Sequence, residues 1–218
     1  MANGACEIQI RGERLLLLPQ KALYWPAAAM LLIADMHCGK AATFRARHVP
    51  IPEGNMEADL ERLSNLLEEW NANSLAILGD WIHAALGCTP SVMQTIDHWR
   101  KRHAHLNIHW IHGNHDRAPV ELRSQFAFEE DLVVFDQGPF RLQHKPGTHE
   151  TLYTISGHVH PKFTIAGAGI PRTHLPCFKF SPDCAILPAF GSFTGGMPIE
   201  SETNSRIFLV AGESVVEW

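Results

Sequence analysis

The 218-residue chain contains no C-x-x-C pair, and its five cysteines, Cys6, Cys38, Cys88, Cys177 and Cys184, are odd in number. Neither a disulfide framework nor a zinc knuckle is expected, and a reducing compartment is the simplest setting. Long apolar runs are missing as well. Leu15 to Leu18 is short, and the uncharged stretch from Ala22 to Ala34 is broken by Pro26 and ends at Asp35. Both fall short of the roughly 20 apolar residues of a membrane span, and neither precedes a small-residue cleavage site. A soluble, cytoplasmic protein without membrane contact is expected. Basic charge is not in excess: the formal net charge of -5 excludes broad electrostatic coating of nucleic acid, which relies on many Lys/Arg–phosphate contacts. An acidic total still admits a phosphoester substrate, because bound divalent cations can reverse the sign of a pocket. Repeats, low-complexity tracts and interdomain linkers are absent, so a single domain over residues 1–218 is expected, with a hydrophobic share of 45% that rules out a disordered chain.

What is present is a rhythm. Ile8 and Ile10, the turn Arg11-Gly12-Glu13-Arg14 and Leu15 to Leu18 read as an opening hairpin. Met30 to Ala34 is a short apolar run of the kind found in a strand buried on both faces, and it stops at Asp35-Met36-His37. From Met56 to Trp70, leucines recur at helical spacing, and Leu75 to Leu78 follows as a strand ending at Gly79-Asp80. Val92, Ile96 and Trp99 mark a second amphipathic helix, and Leu106 to Ile111 a third strand, ending at Gly113-Asn114-His115-Asp116. Alternating strands and helices imply a parallel sheet with its ligands outside the carboxyl ends of the strands. Beyond Asp131, strand-like pieces at Leu132 to Phe135, Phe140 to Gln143, Leu152 to Ile155, Ala185 to Leu187 and Ile207 to Val210 predict a second, mixed sheet; Ala166 to Pro176 reads as a surface loop.

The polar residues at these strand ends are Asp35 and His37, Asp80, Asn114 and His115, His144, and His158 with His160. All are metal-ligand types, and in extended segments Asp35 with His37, and His158 with His160, would each face one pocket. Glycines at Gly79, Gly113 and Gly157 precede the clusters, where the backbone must turn sharply or approach a metal. Imidazole, carboxylate and amide without thiolate suit Mn²⁺, Fe or Zn²⁺ better than a structural zinc site. The chain has 14 histidines, so spacing and position carry the argument rather than number; His98, His103, His105, His109 and His112 lack partner spacing and read as structural or surface residues.

In that order, Asp35-x-His37, Gly79-Asp80, Gly113-Asn114-His115-Asp116, His144 and Gly157-His158-x-His160 resemble the five-motif signature of the calcineurin-like metallophosphoesterase superfamily. A narrower resemblance, to the ligase-associated DNA-damage-response phosphodiesterase/endonuclease family, rests on four stretches: Asp35 to Lys40; Pro50-Ile51-Pro52; Tyr153 to Pro161; and Leu187 to Gly191 with Phe193-Thr194-Gly195-Gly196. Cys38 and His48 depart from that narrower pattern. The resemblance implies an α/β fold, a four-layer α/β/β/α sandwich with two mixed central sheets. It also implies two divalent metal ions, Mn²⁺ foremost: Asp35, His37 and His160 on one, Asn114, His144 and His158 on the other, Asp80 bridging. His149 and His174 are alternatives at the lone-histidine position. His115 would steady the phosphoryl oxygens or protonate the leaving group, with Asp116 orienting it.

Three residues after Asp80 the phosphatase branch carries an aspartate where this chain has His83, which resembles the nuclease branch and tilts the expectation toward diester cleavage. Lys40 and Arg117 follow ligand motifs and are expected on substrate phosphate, with Arg45, Arg47, Lys162 and Arg172 as weaker candidates. The implied activity is a metal-dependent phosphodiesterase or nuclease cutting a phosphodiester substrate, DNA among the candidates, in DNA repair. Its implied functional neighbours are an ATP-dependent DNA ligase, a helicase and an exonuclease. The competing readings are a phosphomonoesterase or cyclic-nucleotide phosphodiesterase, which would share every ligand, and a non-catalytic scaffold.

Overall fold

The computed structural model describes residues 4–116, 129–167 and 170–218. Strands β1 (Cys6–Ile10) and β2 (Glu13–Leu18) form the expected hairpin. Its two-residue turn places Arg11 at φ 52 and Gly12 at φ 83, the positive-φ pair that matches the twist of the flanking strands. Strands β3 (Ala22–Trp25) and β4 (Met30–Ile33) continue antiparallel, and β5 (Ser74–Leu78), β6 (Asn107–Ile111) and β7 (Glu129–Leu132) add on in parallel. Among the described residues this sheet has seven strands in the order β1-β2-β3-β4-β5-β6-β7.

Among the described residues, α1 (Lys40–Ala46), α2 (Asn55–Glu69) and α3 (Pro90–Arg102) lie in the crossovers. Thr89 caps α3 by accepting from Val92 N, with Pro90 in the first turn, where its missing N–H is no loss.

The second sheet comprises β8 (Val134–Gln137), β9 (Phe140–Gln143), β10 (Tyr153–Ser156), β11 (Pro161–Gly167), β12 (Ile170–Phe180), β13 (Cys184–Ile186), β14 (Met197–Ile199), β15 (Arg206–Ala211) and β16 (Ser214–Glu217). Its order is β14-β11-β12-β13-β10-β9-β8, with β15 on β12 and β16 on β15. Two expectations are corrected. The run Leu132 to Phe135 is split between the sheets, with exposed Val133 at the crossing between β7 and β8. The stretch expected as a loop is largely the β11/β12 hairpin. Its prolines are tolerated because Pro171 lies at the register shift of that pair, and Pro176 precedes the first residue that β12 pairs with β15, Cys177.

Strand alternation divides the core. Leu31, Ile33, Leu75 and Ile77 pack with the leucines of α2 and with Val92, Ile96 and Trp99 of α3. Their neighbours Leu32, Ala34, Ala76 and Leu78 turn the other way, onto Phe140, Ile155, Phe178 and Phe208 of the second sheet. Among the described residues no helix covers the outer face of the second sheet; there Cys177, Ile207 and Leu209 pack with Phe163, Ile165 and Leu175. The result is an α/β sandwich of two mixed sheets. The segment after β13 returns to the first sheet through a parallel bridge between Ala34 and Ala189, with Phe190 N donating to Ala34 O at 2.7 Å.

Candidate metal centre

The polar clusters follow β4, β5, β6, β9 and β10, and backbone hydrogen bonds tie their loops together. Asp35 N donates to Gly79 O at 3.2 Å, His37 N to Asp80 O at 2.8 Å and Gly157 N to His144 O at 3.0 Å. Asp35, His37, Asp80, His158 and His160 all have positive φ, between 49° and 70°. Backbone of this kind costs about 1–3 kcal/mol per residue and persists where its surroundings over-determine it. Close approach explains the glycines. A Cβ on Gly79 would run into the His144 ring, one on Gly113 into the Asp80 carboxylate, and one on Gly157 would lie 2.6 Å from Asp35 Oδ2.

Two groups of ligand atoms result, each within 4.8 Å: Asp35, His37 and His160, and Asp80, His144 and His158. The extended-segment expectation is therefore corrected. Asp35 and His37 share one group, whereas His158 and His160 serve different groups. Asp80 Oδ2 lies between the groups, 3.7 Å from His37 Nε2 and 3.6 Å from His144 Nε2, while its Oδ1 accepts from His115 N at 2.8 Å. Asn114 Oδ1 is 3.0 Å from His144 Nε2, and His158 Nδ1 is 3.1 Å from the same atom. The other His144 nitrogen, Nδ1, sits 3.0 Å from Leu78 O, which leaves Nε2 as the free lone pair. Of the alternatives to His144, His149 accepts from Thr151 N and Leu152 N, and His174 pairs with Thr164 in the β11/β12 hairpin, so neither joins the site.

Asp35 Oδ1, His37 Nε2 and His160 Nε2 are buried without a hydrogen-bond partner. Buried polar atoms seldom go unpaired, and three converging lone-pair atoms from a carboxylate and two imidazoles fit a divalent cation. Burial, with His160 and Lys40 nearby, holds His37 far below its ordinary pKa, and burial also lowers His158, so both imidazoles present lone pairs rather than protons. Burial raises Asp80.

A third group joins His37, His83 and His115. His83 and His115 stack at 5.0 Å, and His83 Nδ1 is 3.2 Å from His37 Nδ1. Since His37 directs Nε2 at the centre, its Nδ1 carries the proton and His83 Nδ1 accepts it. Burial, followed by the charge of Lys40, depresses His83 to about 4.

The expected contact from Asp116 to His115 is not made. His115 Nδ1 faces His83 O at 3.0 Å, and the Asp116 carboxylate instead accepts from Ile82 N, Gly113 N and Trp110 Nε1 at 2.8, 2.8 and 3.2 Å. It clamps the loops after β5 and β6. Lys40 starts α1 with Nζ 5.8 Å from the Phe193 ring centroid. Arg45 is committed to Glu53 and to the Ile51 and Pro52 carbonyls. Arg117 lies outside the described residues. Sequence reasoning passed over two carbonyls, Leu78 O and His83 O, that set the tautomers of His144 and His115; a main-chain acceptor leaves no residue-type signal.

The calcineurin-like phosphoesterase family matches residues 29–214. The chain belongs to that family. This calcineurin-like phosphoesterase is a metal-dependent phosphoric ester hydrolase. It is similar to the crystal structure of Pseudomonas putida nuclease MPE, at 39% identity and a TM-score of 0.84, over 97% of this chain and 100% of that one. The E. coli phosphoesterase Yfce aligns at 13% identity and a TM-score of 0.45, over 87% of this chain and 97% of that one. No curated relative matches.

Proposed function

We propose that this calcineurin-like phosphoesterase is a dinuclear phosphodiesterase acting as a nuclease in DNA repair, with Mn²⁺ as its leading metal and Fe or Zn²⁺ as alternatives. The observation that carries the dinuclear reading is Asp80 Oδ2, a single carboxylate oxygen facing an imidazole of each ligand group. Asp35, His37 and His160 would hold one ion and Asn114, His144 and His158 the other, with Asp80 shared. Bound there, two divalent cations would supply an activated water and neutralise charge on the phosphoryl group.

The remaining work falls to side chains. His115, with Nδ1 turned to a carbonyl, offers Nε2 to the leaving oxygen and is the group to protonate it. His83 accepts from His37 at Nδ1, so its Nε2 carries a proton and donates a hydrogen bond to a phosphoryl oxygen while the ring stays neutral. His83 stands where the phosphatase branch carries an aspartate, and the resemblance of that position to the nuclease branch favours a diester substrate. Lys40 adds positive charge at the same edge, and Arg117 is a further candidate for substrate phosphate. The similarity to the Pseudomonas putida nuclease supports a nucleic-acid substrate. The DNA-repair setting and the functional association with an ATP-dependent DNA ligase, a helicase and an exonuclease rest on the family likeness, whereas the cytoplasmic location rests on the cysteine pattern and the single domain on the lack of any linker.

The test is turnover of Mn²⁺-reconstituted protein on bis-p-nitrophenyl phosphate, p-nitrophenyl phosphate, a cyclic nucleotide and DNA, with Asp80→Ala alongside. Diester and DNA cleavage should dominate, and Asp80→Ala should lose about 100-fold or more, since even indirect supports of a metal cost 10–100-fold. Full turnover in Asp80→Ala, or faster monoester hydrolysis, sinks the proposal.

A further inference from the structure

A cavity of about 360 Å³ adjoins the metal centre and shares His37 with it; Lys40, Asn55, Met56, Val92 and Phe193 also line it. Its volume falls in the range of about 300–1,000 Å³ typical of small-molecule sites, and its walls mix apolar side chains such as Met56, Val92 and Phe193 with charged and polar ones. Phe193 is half-buried, with Phe44 in an edge contact at 5.8 Å and Lys40 Nζ over its ring, 5.8 Å from the centroid.

Lys40 is the cation at this boundary. It makes no ion pair among the described residues, in contrast to Arg45 on the same helix. An ammonium placed between a phosphoryl site and an aromatic wall is suited to a ligand that is anionic at one end and flat and apolar at the other. A second phosphate is disfavoured inside, because the carboxylates of Glu53, Glu57 and Asp59 outnumber the cations Lys40 and Arg45 along its walls. A nucleobase is favoured, since every base offers a π-face to an aromatic ring.

We propose that this cavity receives the nucleobase attached to the scissile phosphate, with Phe193 as its stacking surface and Lys40 on the phosphate. The assignment rests on the phosphodiesterase reading and adds to it a subsite that sorts phosphodiesters by the presence of a nucleoside. It makes Phe193 a specificity-determining residue, 33 positions beyond the last metal-ligand motif of the sequence.

Two esters with a common leaving group test it: thymidine 5′-(p-nitrophenyl phosphate) and ethyl p-nitrophenyl phosphate. The wild-type protein should prefer the thymidine ester in kcat/KM. Phe193→Ala should lower that preference by about 5- to 150-fold, the range of one base–aromatic stack. Phe193→Trp should preserve it, which separates stacking from damage to the fold. The uridine ester run beside these tells ribose from deoxyribose substrates, with the Phe193 dependence holding for both. A wild-type preference near one, or one that Phe193→Ala leaves unmoved, overturns the assignment.

Binding of thymidine 5′-monophosphate to the metal-loaded protein, followed by calorimetry, is independent of turnover. It should weaken in Phe193→Ala and survive in Phe193→Trp, and equal affinity in all three proteins overturns the subsite. Failure to cleave either ester, with Phe193-dependent binding intact, would instead sink the phosphodiesterase reading.

Discussion

Replacing Asp116 by alanine separates two roles for this residue. If it acted by orienting His115, the variant would fold normally and turn over slowly. The structure gives a different expectation, because both carboxylate oxygens are spent on Ile82 N, Gly113 N and Trp110 Nε1. The carboxyl is buried, and burial pushes it up to about 7 against the pull of those three N–H donors.

Truncation leaves three donors without an acceptor in a largely dry environment. Each orphaned donor costs about 1–3 kcal/mol, so the sum after some relaxation is about 3–6 kcal/mol. For a chain of this size 1 kcal/mol moves the melting temperature by about 2–4 °C, which gives a fall of about 6–24 °C. Asp116→Asn should be intermediate, since its amide keeps one acceptor and sets an N–H against an N–H. The assay is thermal unfolding by circular dichroism on metal-free protein, followed by metal content. A melting temperature within about 2 °C of wild type, together with a large loss of turnover, refutes the clamp and restores the orienting role.

Three further outcomes are expected. Gly79→Ala places a Cβ against the His144 ring at a residue held at φ 84, so the variant should bind one metal equivalent fewer by elemental analysis; two retained equivalents would contradict the close-approach reading. His83→Ala removes the partner of His37 Nδ1 and should slow cleavage of bis-p-nitrophenyl phosphate by about 10–100-fold; an unchanged rate would show that His83 is an ordinary loop residue. Burial depresses His37, His83 and His158 and raises Asp80 and Asp116. As pH falls from 6.5 toward 4, the unfolded chain therefore takes up protons at His37, His83 and His158, and at His103, which burial also depresses, more readily than the folded chain does, against at most two that the folded aspartates keep. Metal-free protein should lose stability through that window; a melting temperature that climbs as the solution is acidified is the contrary result.

Helices α2 and α3 were legible because each repeats an apolar period over enough residues to stand out, and the parallel strands β4, β5 and β6 because each is a short, largely apolar run ending at a polar cluster. The ligand clusters were legible for a topological reason: parallel strands deliver their C-terminal loops to one edge, so motifs far apart in sequence meet. What escaped reading is non-local. Asp116 finds Ile82 34 positions away, a pairing that no spacing rule encodes. The β11/β12 hairpin was hidden by Pro171 and Pro176, whose tolerance depends on a bulge and on where β15 begins to pair. The left-handed backbone at Asp35, His37, Asp80, His158 and His160 was invisible because none of these is glycine, and the fold imposes a conformation their side chains resist.

The strap formed by Ala189, Phe190 and Gly191 joins the two sheets at their ligand-bearing edge, with Phe190 N and Gly191 N donating to Ala34 O and Asp35 O, and Arg62 donating to Phe190 O. The sheets thus behave as the jaws of a calliper riveted near the tips. His144, His158 and His160 ride on one jaw, Asp35, His37, Asp80 and Asn114 on the other. Those bonds oppose sliding of one jaw past its mate and so brace the opening between the ligand groups.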